Sequence, residues 1–221
     1  MFPIFHRSFP CHFFEKIAEI CLKHNVYIIS DEIHSDFIYE GSKHIPISTL
    51  SEEVKMKTVT CIAPSKSFNI AGLQASNIVI SDKTIREKVL KERTATCNHH
   101  LNIMSIEAVK AAYKDSEEWL EGMLKYLKRN IEILKEAFPK DYKITALDMD
   151  GTYLAWLDCR KLNLSVDELN DLFLNKAGVW LHNGATFGKG GEGFMRMNLG
   201  CPRSVLEKAL GQIKVAYDKI C

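Results

Sequence analysis

Three short runs, built almost entirely from β-branched and apolar residues, most constrain what this chain can fold into. They are Val26 to Ile29, Thr58 to Ile62 and Ser76 to Ile80. A strand without polar alternation belongs in a sheet covered on both faces, which is the habit of parallel sheets flanked by helices. Phe14, Ile17, Ala18 and Cys21 fall at helical spacing ahead of the first run. Asp82 stands where it can cap a helix through Ile85, Val89 and Leu90 after the third. Helix and apolar strand in succession predict an α/β layer with a mostly parallel sheet.

The second half changes character. Leu120, Met123, Leu127, Ile131, Leu134 and Phe138 fit one long helix that Pro139 ends. Short strands are predicted at Ile144 to Leu147, Thr152 to Leu157, Val179 to Leu181 and Phe194 to Leu199. Ser165 and Glu168 have the spacing of a capping box, with Val166, Leu169, Phe173 and Lys176 on one stripe. Pro202 opens a last helix with Leu206, Ala209, Ile213, Ala216, Tyr217 and Ile220 inside. This half reads as a smaller α+β domain.

Lys+Arg number 29 against Asp+Glu 28, so no net field attracts nucleic acid or an anionic membrane. The partners expected are small molecules or proteins. Seven cysteines, none in a C-x-x-C pair, read as reduced thiols of a cytoplasmic protein, each a small buried apolar residue. No apolar run approaches the ~20 residues that span a bilayer. Residues 1–7 lack the apolar core of a signal peptide.

Ligands of an open parallel sheet collect at the carboxyl ends of its strands. Asp31 follows Ile29 by two residues and Lys66 follows Ile62 by four. If the two strands share a sheet, both side chains reach one rim. Singly, Asp31 reads as a turn or helix cap and Lys66 as a solvated lysine. Jointly, they are the acid and the amine needed to hold pyridoxal 5'-phosphate, one on the ring nitrogen and one on the aldehyde carbon. In Phe194 to Leu199, strand alternation sets Phe194, Arg196 and Asn198 on one face and Met195, Met197 and Leu199 on the other. Arg196 is then either a structural ion pair or a grip for a carboxylate.

The letters around these residues carry a resemblance. Ser30-Asp31-Glu32-Ile33-His34-Ser35-Asp36 and Ala63-Pro64-Ser65-Lys66-Ser67-Phe68-Asn69-Ile70-Ala71-Gly72-Leu73-Gln74 are similar to the motifs of fold-type I pyridoxal phosphate enzymes of the aminotransferase class I/II superfamily. The chain most resembles the cystathionine β-lyase-like branch of the MalY/PatB type, from about Phe14 to the C-terminus. The resemblance implies Lys66 as the catalytic, cofactor-bonding lysine and Asp31 as the partner of the pyridinium nitrogen. It implies His34 near the ring hydroxyl, Ser65 near the phosphate and Arg196 on the substrate carboxylate. It also implies a homodimer.

Read this way, the fold is the C-terminal part of a PLP-transferase fold, with a partial large-domain sheet and a small α+β domain. Residues 1–13 form an unmatched leader. Residues 14–95 are a partial cofactor-binding domain, 96–139 connecting helices and 140–221 the small domain. Two departures stand out. Gln74 and Ala63 occupy places where many aminotransferases carry the Arg and Ser that hold the phosphate. The leading segment that supplies a glycine-rich phosphate turn, a stacking aromatic and an Asn near the ring hydroxyl has no counterpart. A truncation, a misplaced gene start or a frameshift would produce this. Weak cofactor binding and self-association are the expected results, since lost strands leave an apolar sheet edge exposed.

Two motifs are set aside. Gly188 to Gly193 spells G-x-G-x-x-G, but a strand-like run follows it rather than a helix, so a dinucleotide site is rejected in favour of a loop shaping the entrance beside Arg196. His99-His100 lacks partners at metal-ligand spacing, and no metal is expected. The function expected is β-elimination from cystathionine or a related cysteine S-conjugate. Transamination by the same residues is the first alternative, and a non-catalytic remnant acting as a subunit partner is the second.

Overall fold

The amphipathic face foreseen at Phe14 to Cys21 lies on helix α1 (Cys11–Lys23), where it covers Ile28, Ile47 and Val54 together with Leu22 and Leu50. The helix ends where Asn25 takes a left-handed φ of 54° and Val26 N–H returns to Cys21 O at 2.8 Å. Asn tolerates that conformation better than most residues, so it suits a helix end. The computed structural model describes residues 11–97 and 100–220, which divide into two compact units. Residues 11–38 and 42–122 form one, and residues 39–41 and 123–220 the other.

In the first unit α1 is followed by β1 (Ile28–Asp31), α2 (Glu52–Met56), β2 (Thr58–Ile62), α3 (Pro64–Ser67), β3 (Asn77–Ile80), α4 (Lys83–Ala95) and α5 (Ile103–Asp115). The sheet order is β1-β2-β3, with β1 parallel to β2 and β3 antiparallel to it. Asp82 caps α4 through Ile85 N–H at 2.7 Å, as its position in the sequence predicts.

The first strand starts two residues later than the apolar run does. Its ladder begins with Ile28 N–H on Lys57 O, leaving Val26 and Tyr27 exposed ahead of it. The run is also not covered on both faces. Ile28 turns into the α1 core, whereas Ile29 faces the other side of the sheet and is 76% exposed. Ile78 and Val79 of β3 are exposed as well, and Ile80 alone of that strand is buried.

The unit boundary falls inside α6 (Glu117–Ala137), the long helix foreseen to stop at Pro139. The second unit continues with β4 (Thr145–Ala146), β5 (Leu154–Asp158), α7 (Val166–Asp171), β6 (His182–Asn183), β7 (Phe194–Asn198) and α8 (Arg203–Tyr217). Its sheet, in order β4-β5-β7-β6, is antiparallel throughout. Leu127, Ile131, Leu134 and Phe138 of the long helical stretch are buried in this unit, as are Leu157, Met195, Leu199, Leu206 and Ile213. Full burial of each such side chain contributes about 1.5–3 kcal/mol. Tyr39 belongs to this unit, donating from its N–H to Asp150 O at 3.0 Å and from its hydroxyl to Thr152 O at 2.7 Å.

The capping box at Ser165 and Glu168 forms as its letters predict. The stripe drawn from it does not continue as an α-helix. Residues 172–176 wind as a wider π-turn, so adjacent Leu172 and Phe173 are both buried while Val166 is exposed. Val179 to Leu181 forms no ladder, and pairing begins only at His182. Ile220 is exposed, because α8 ends at Tyr217.

Cys159 is buried, Cys97 is exposed, and Cys21, Cys61 and Cys201 lie between, which corrects the uniform reading of small core residues. Cys21, Cys61, Cys97, Cys159 and Cys201 are free thiols. Residues 1–10 of the stretch read as a leader, and His99, lie outside the described residues, whereas residues 11–13 belong to α1. No helix among the described residues is long and apolar enough to cross a membrane.

Candidate active site

The parallel pairing of β1 with β2 sets Ile28 beside Thr58 and Asp31 beside Cys61. Glu32 N–H extends the ladder by one bond to Cys61 O at 2.8 Å. Asp31 therefore ends its strand level with Cys61, and Lys66 lies five residues further along the neighbouring chain. Both chains leave the sheet at the same rim. Asp31 and Lys66 are exposed there, and Ser65 and His34 are half-buried.

The turn after β1 is built from its own side chains. Asp31 Oδ1 accepts from Ile33 N–H at 3.3 Å, a long bond that realises part of the turn-cap reading. No described residue engages the other carboxylate oxygen. Glu32 points inward, 7% exposed at the side chain, and accepts from the Ser30 hydroxyl at 2.9 Å and from His44 Nε2 at 2.9 Å. The His34 ring packs on Phe37 at 5.6 Å. Phe37 is almost wholly buried and roots the turn in the core.

The turn after β2 is α3, a single helical turn. Proline at its first position suits a place where an N–H has no partner in any case. Phe68 N–H closes the turn on Pro64 O at 2.9 Å, and Ile70 N–H reaches Ser65 O at 3.0 Å. No described acceptor lies within reach of Lys66 Nζ or of the Ser65 hydroxyl. Ser67 is fully buried and donates its hydroxyl to Asp36 Oδ2, joining this turn to the one after β1. Gln74, where the resemblance would place a phosphate-binding arginine, is exposed and holds a left-handed φ of 55°.

In the second unit Arg196 stands on the half-exposed face of β7, while Met195, Met197 and the following Leu199 are buried on the other. The alternation read from the sequence is the one observed. Trp156 of β5 and His182 of β6 flank Arg196 in register. The guanidinium lies over the Phe187 ring at 4.4 Å, and Trp156 meets the same ring edge-on at 5.5 Å. Nε is buried without a hydrogen-bond partner, and Arg196 forms no ion pair among the described residues. Burial pushes its pKa down, with the Tyr153 phenol acting in the opposite sense. A cation that is partly desolvated, stacked and short of an acceptor is a ready receptor for an anion.

The glycine-rich stretch beside β7 is structural. Gly184 and Gly191 cross so closely that a Cβ on either would collide with the other's carbonyl oxygen. Gly193, at φ +78°, lies against Arg160, leaving 2.7 Å between a Cβ there and Arg160 Cγ. A strand follows the loop, as the sequence reading required when it rejected a dinucleotide site.

Sequence reasoning passed over Asp36, Ser67, Glu32, His44 and Phe187. The first two were within the quoted motifs, but nothing in a linear pattern marks a hydrogen bond across 31 positions. Phe187 follows the same logic, since its place beneath Arg196 comes from sheet pairing and the glycine crossing.

With this geometry in place, the comparisons identify a family. The profile of aminotransferase class I and II matches residues 7–213, and the chain belongs to that family. It is 41% identical over 204 residues to cystathionine beta-lyase PatB of Bacillus subtilis (strain 168), covering 92% of this chain and 53% of that one. Cystalysin of Treponema denticola, solved with its pyridoxal 5'-phosphate cofactor, superposes with a TM-score of 0.94 at 35% identity, over 98% of this chain and 55% of that chain. A PLP-bound protein of Clostridium difficile 630 gives 0.93 at 43% identity, over 96% and 55%. The chain spans about half the length of the curated relatives it matches.

Proposed function

We propose that this chain carries the lysine-bearing part of a pyridoxal-phosphate-dependent carbon–sulfur β-lyase. Its substrate is cystathionine or a related cysteine S-conjugate, and its products are pyruvate, ammonia and a thiol. The observation that carries the reading is the shared rim at the carboxyl ends of two adjacent parallel strands, where Asp31 ends β1 and Lys66 lies in the turn that follows β2. The similarity to PatB favours elimination over transamination.

The residues fit the cofactor. Lys66 offers an amine and Ser65 a hydroxyl without described partners, and Asp31 a carboxylate oxygen that no described residue engages. When bound, pyridoxal phosphate supplies the electron sink that makes the substrate's Cα–H acidic. Lys66 would hold the cofactor through its Nζ, and its free amine would take the substrate's Cα proton. Asp31 would keep the proton on the ring nitrogen, His34 would serve the ring hydroxyl, and Ser65 would contribute a hydrogen bond to the phosphate. Arg196 grips the substrate carboxylate and so orients the Cα–H bond. Over the whole reaction cystathionine and water give pyruvate, ammonia and a thiol.

In this proposal residues 14–95 are part of the cofactor domain, 140–221 the small domain and 96–139 the helices between. The protein works in the cytoplasm as a homodimer, a reading supported by the free thiols and the family resemblance. The test is pyruvate release from L-cystathionine against 2-oxo acid turnover. Pyruvate that disappears in Lys66→Ala supports the lyase. Amino-group transfer without pyruvate makes it an aminotransferase, and neither product in a chain that retains cofactor contradicts both.

A further inference from the structure

The hydroxyl of Ser67 and the carboxylate of Asp36 tie the two turns of the proposed site to each other. We propose that this hydrogen bond is a positioning device: it holds the turn bearing Lys66 against the turn bearing Asp31 and His34, and so sets where the Lys66 amine can reach. The inference rests on the reading of Lys66 as the cofactor-bonding lysine. Neither residue touches the cofactor in this account, and each acts through its neighbours.

The geometry makes the tie effective. Ser67 directly follows Lys66 within a single turn of helix, so pinning Ser67 fixes the backbone from which Lys66 projects. Ser67 is fully buried while Lys66 is exposed, which fits one residue anchoring and its neighbour presenting. A turn of four residues has no cooperative helix behind it to hold it in place. Asp36 lies five residues beyond Asp31, in a turn rooted by buried Phe37. A hydroxyl donating to a carboxylate is charge-assisted and stronger than a neutral pair, more so where water is scarce.

Aromatic side chains border the pair on one side, although Tyr113 and Trp119 are themselves about half exposed. Phe68, next in the chain, packs on Tyr113 at 6.2 Å and on Trp119 at 5.9 Å. The Tyr113 phenol is pushed up by burial and then by the charge of Asp36, so this carboxylate borders an aromatic wall. The main-chain ladder joins β1 and β2 only as far as Glu32 and Cys61. Beyond that point this side-chain bond links the two exits.

The test labels the chain with pyridoxal phosphate, reduces with borohydride and digests. Label on Lys66 is read against label on exposed Lys83 in the same sample, with a melting curve for each variant. Wild type should label Lys66 well above Lys83. Ser67→Ala and Asp36→Ala should lower the Lys66-to-Lys83 ratio at least tenfold at temperatures where they remain folded. Asp36→Asn, which keeps an acceptor for the hydroxyl, should stay within threefold of wild type. Ser67→Cys, nearly isosteric, serves if an alanine variant fails to fold, and should also fall tenfold. Folded variants that all keep the wild-type ratio overturn the positioning role and leave Lys66 as the cofactor lysine. A wild type with no preference for Lys66 overturns both readings.

Discussion

Asp31 and Cys61 face each other across the parallel pair of β1 and β2, and the thiol registers the carboxylate. Burial first, and the Asp31 charge second, push the Cys61 pKa up. The alkylation rate of Cys61 should therefore rise with pH along a curve displaced above that of a free thiol, because the thiolate is the reactive form. Asp31→Asn should move the midpoint down, but not to the ordinary value, since burial is the larger cause. An unchanged profile in Asp31→Asn would show that the carboxylate is not beside Cys61.

Arg196 distinguishes a receptor from a strut. If it were half of a structural ion pair, replacing it would leave a buried charge behind and cost about 3–5 kcal/mol. Among the described residues it has no such partner, and its Nε is orphaned. Arg196→Met should leave the melting temperature unchanged or raise it, while raising KM for an amino-acid substrate roughly tenfold to 150-fold, the worth of a charged hydrogen bond of about 1.5–3 kcal/mol. A large loss of stability with KM unchanged would favour the strut.

Several local features were legible because their causes lie within a few residues. Asp82 and Ser165 cap helices through N–H groups three positions on, and the alternation around Arg196 needs only the strand's period. The α/β class followed from apolar runs between helical stripes. What could not be read depends on partners far along the chain. The first strand begins at Ile28 because Lys57 pairs with it, and Ile29 is exposed because the α1 core lies on the opposite side of the sheet. The wide turn at 172–176 places two adjacent apolar residues inward, which a period of 3.6 does not foresee. In the site, Lys66 and Asp31 were visible as letters, whereas the Ser67–Asp36 tie and the ring under Arg196 exist only once strands have paired.

Tyr39 anchors residues 39–41 to the second unit through its hydroxyl on Thr152 O. Tyr39→Phe removes that buried hydrogen bond and should cost about 0.5–1.5 kcal/mol in chemical denaturation. Burial pushes the Tyr39 pKa above its ordinary 10.0. The folded state then holds the phenolic proton more tightly than the unfolded state does. Its contribution is complete below pH 10.0 and is lost as pH climbs towards the raised folded value. The alkaline arm of the stability curve should flatten in Tyr39→Phe, and an identical arm would contradict the burial.

The turn after β1 depends on a buried acid. Glu32 keeps two donors, and His44→Ala removes one of them. That variant should lose about 1–3 kcal/mol of stability, and amide exchange should quicken at Ser35, whose N–H is held by Glu32 O. A variant as stable and as protected as wild type would mean that the Ser30 hydroxyl alone satisfies the carboxylate.

The central claim is that one aromatic heterocycle fits between the carboxylate of Asp31 and the amine of Lys66. The most direct measurement is a crystal structure of the chain with the phosphopyridoxyl group fixed on lysine by borohydride. The account predicts the group on Lys66 Nζ, with its ring nitrogen within hydrogen-bonding distance of Asp31. A ring nitrogen turned to solvent, or the group on another lysine, would contradict it.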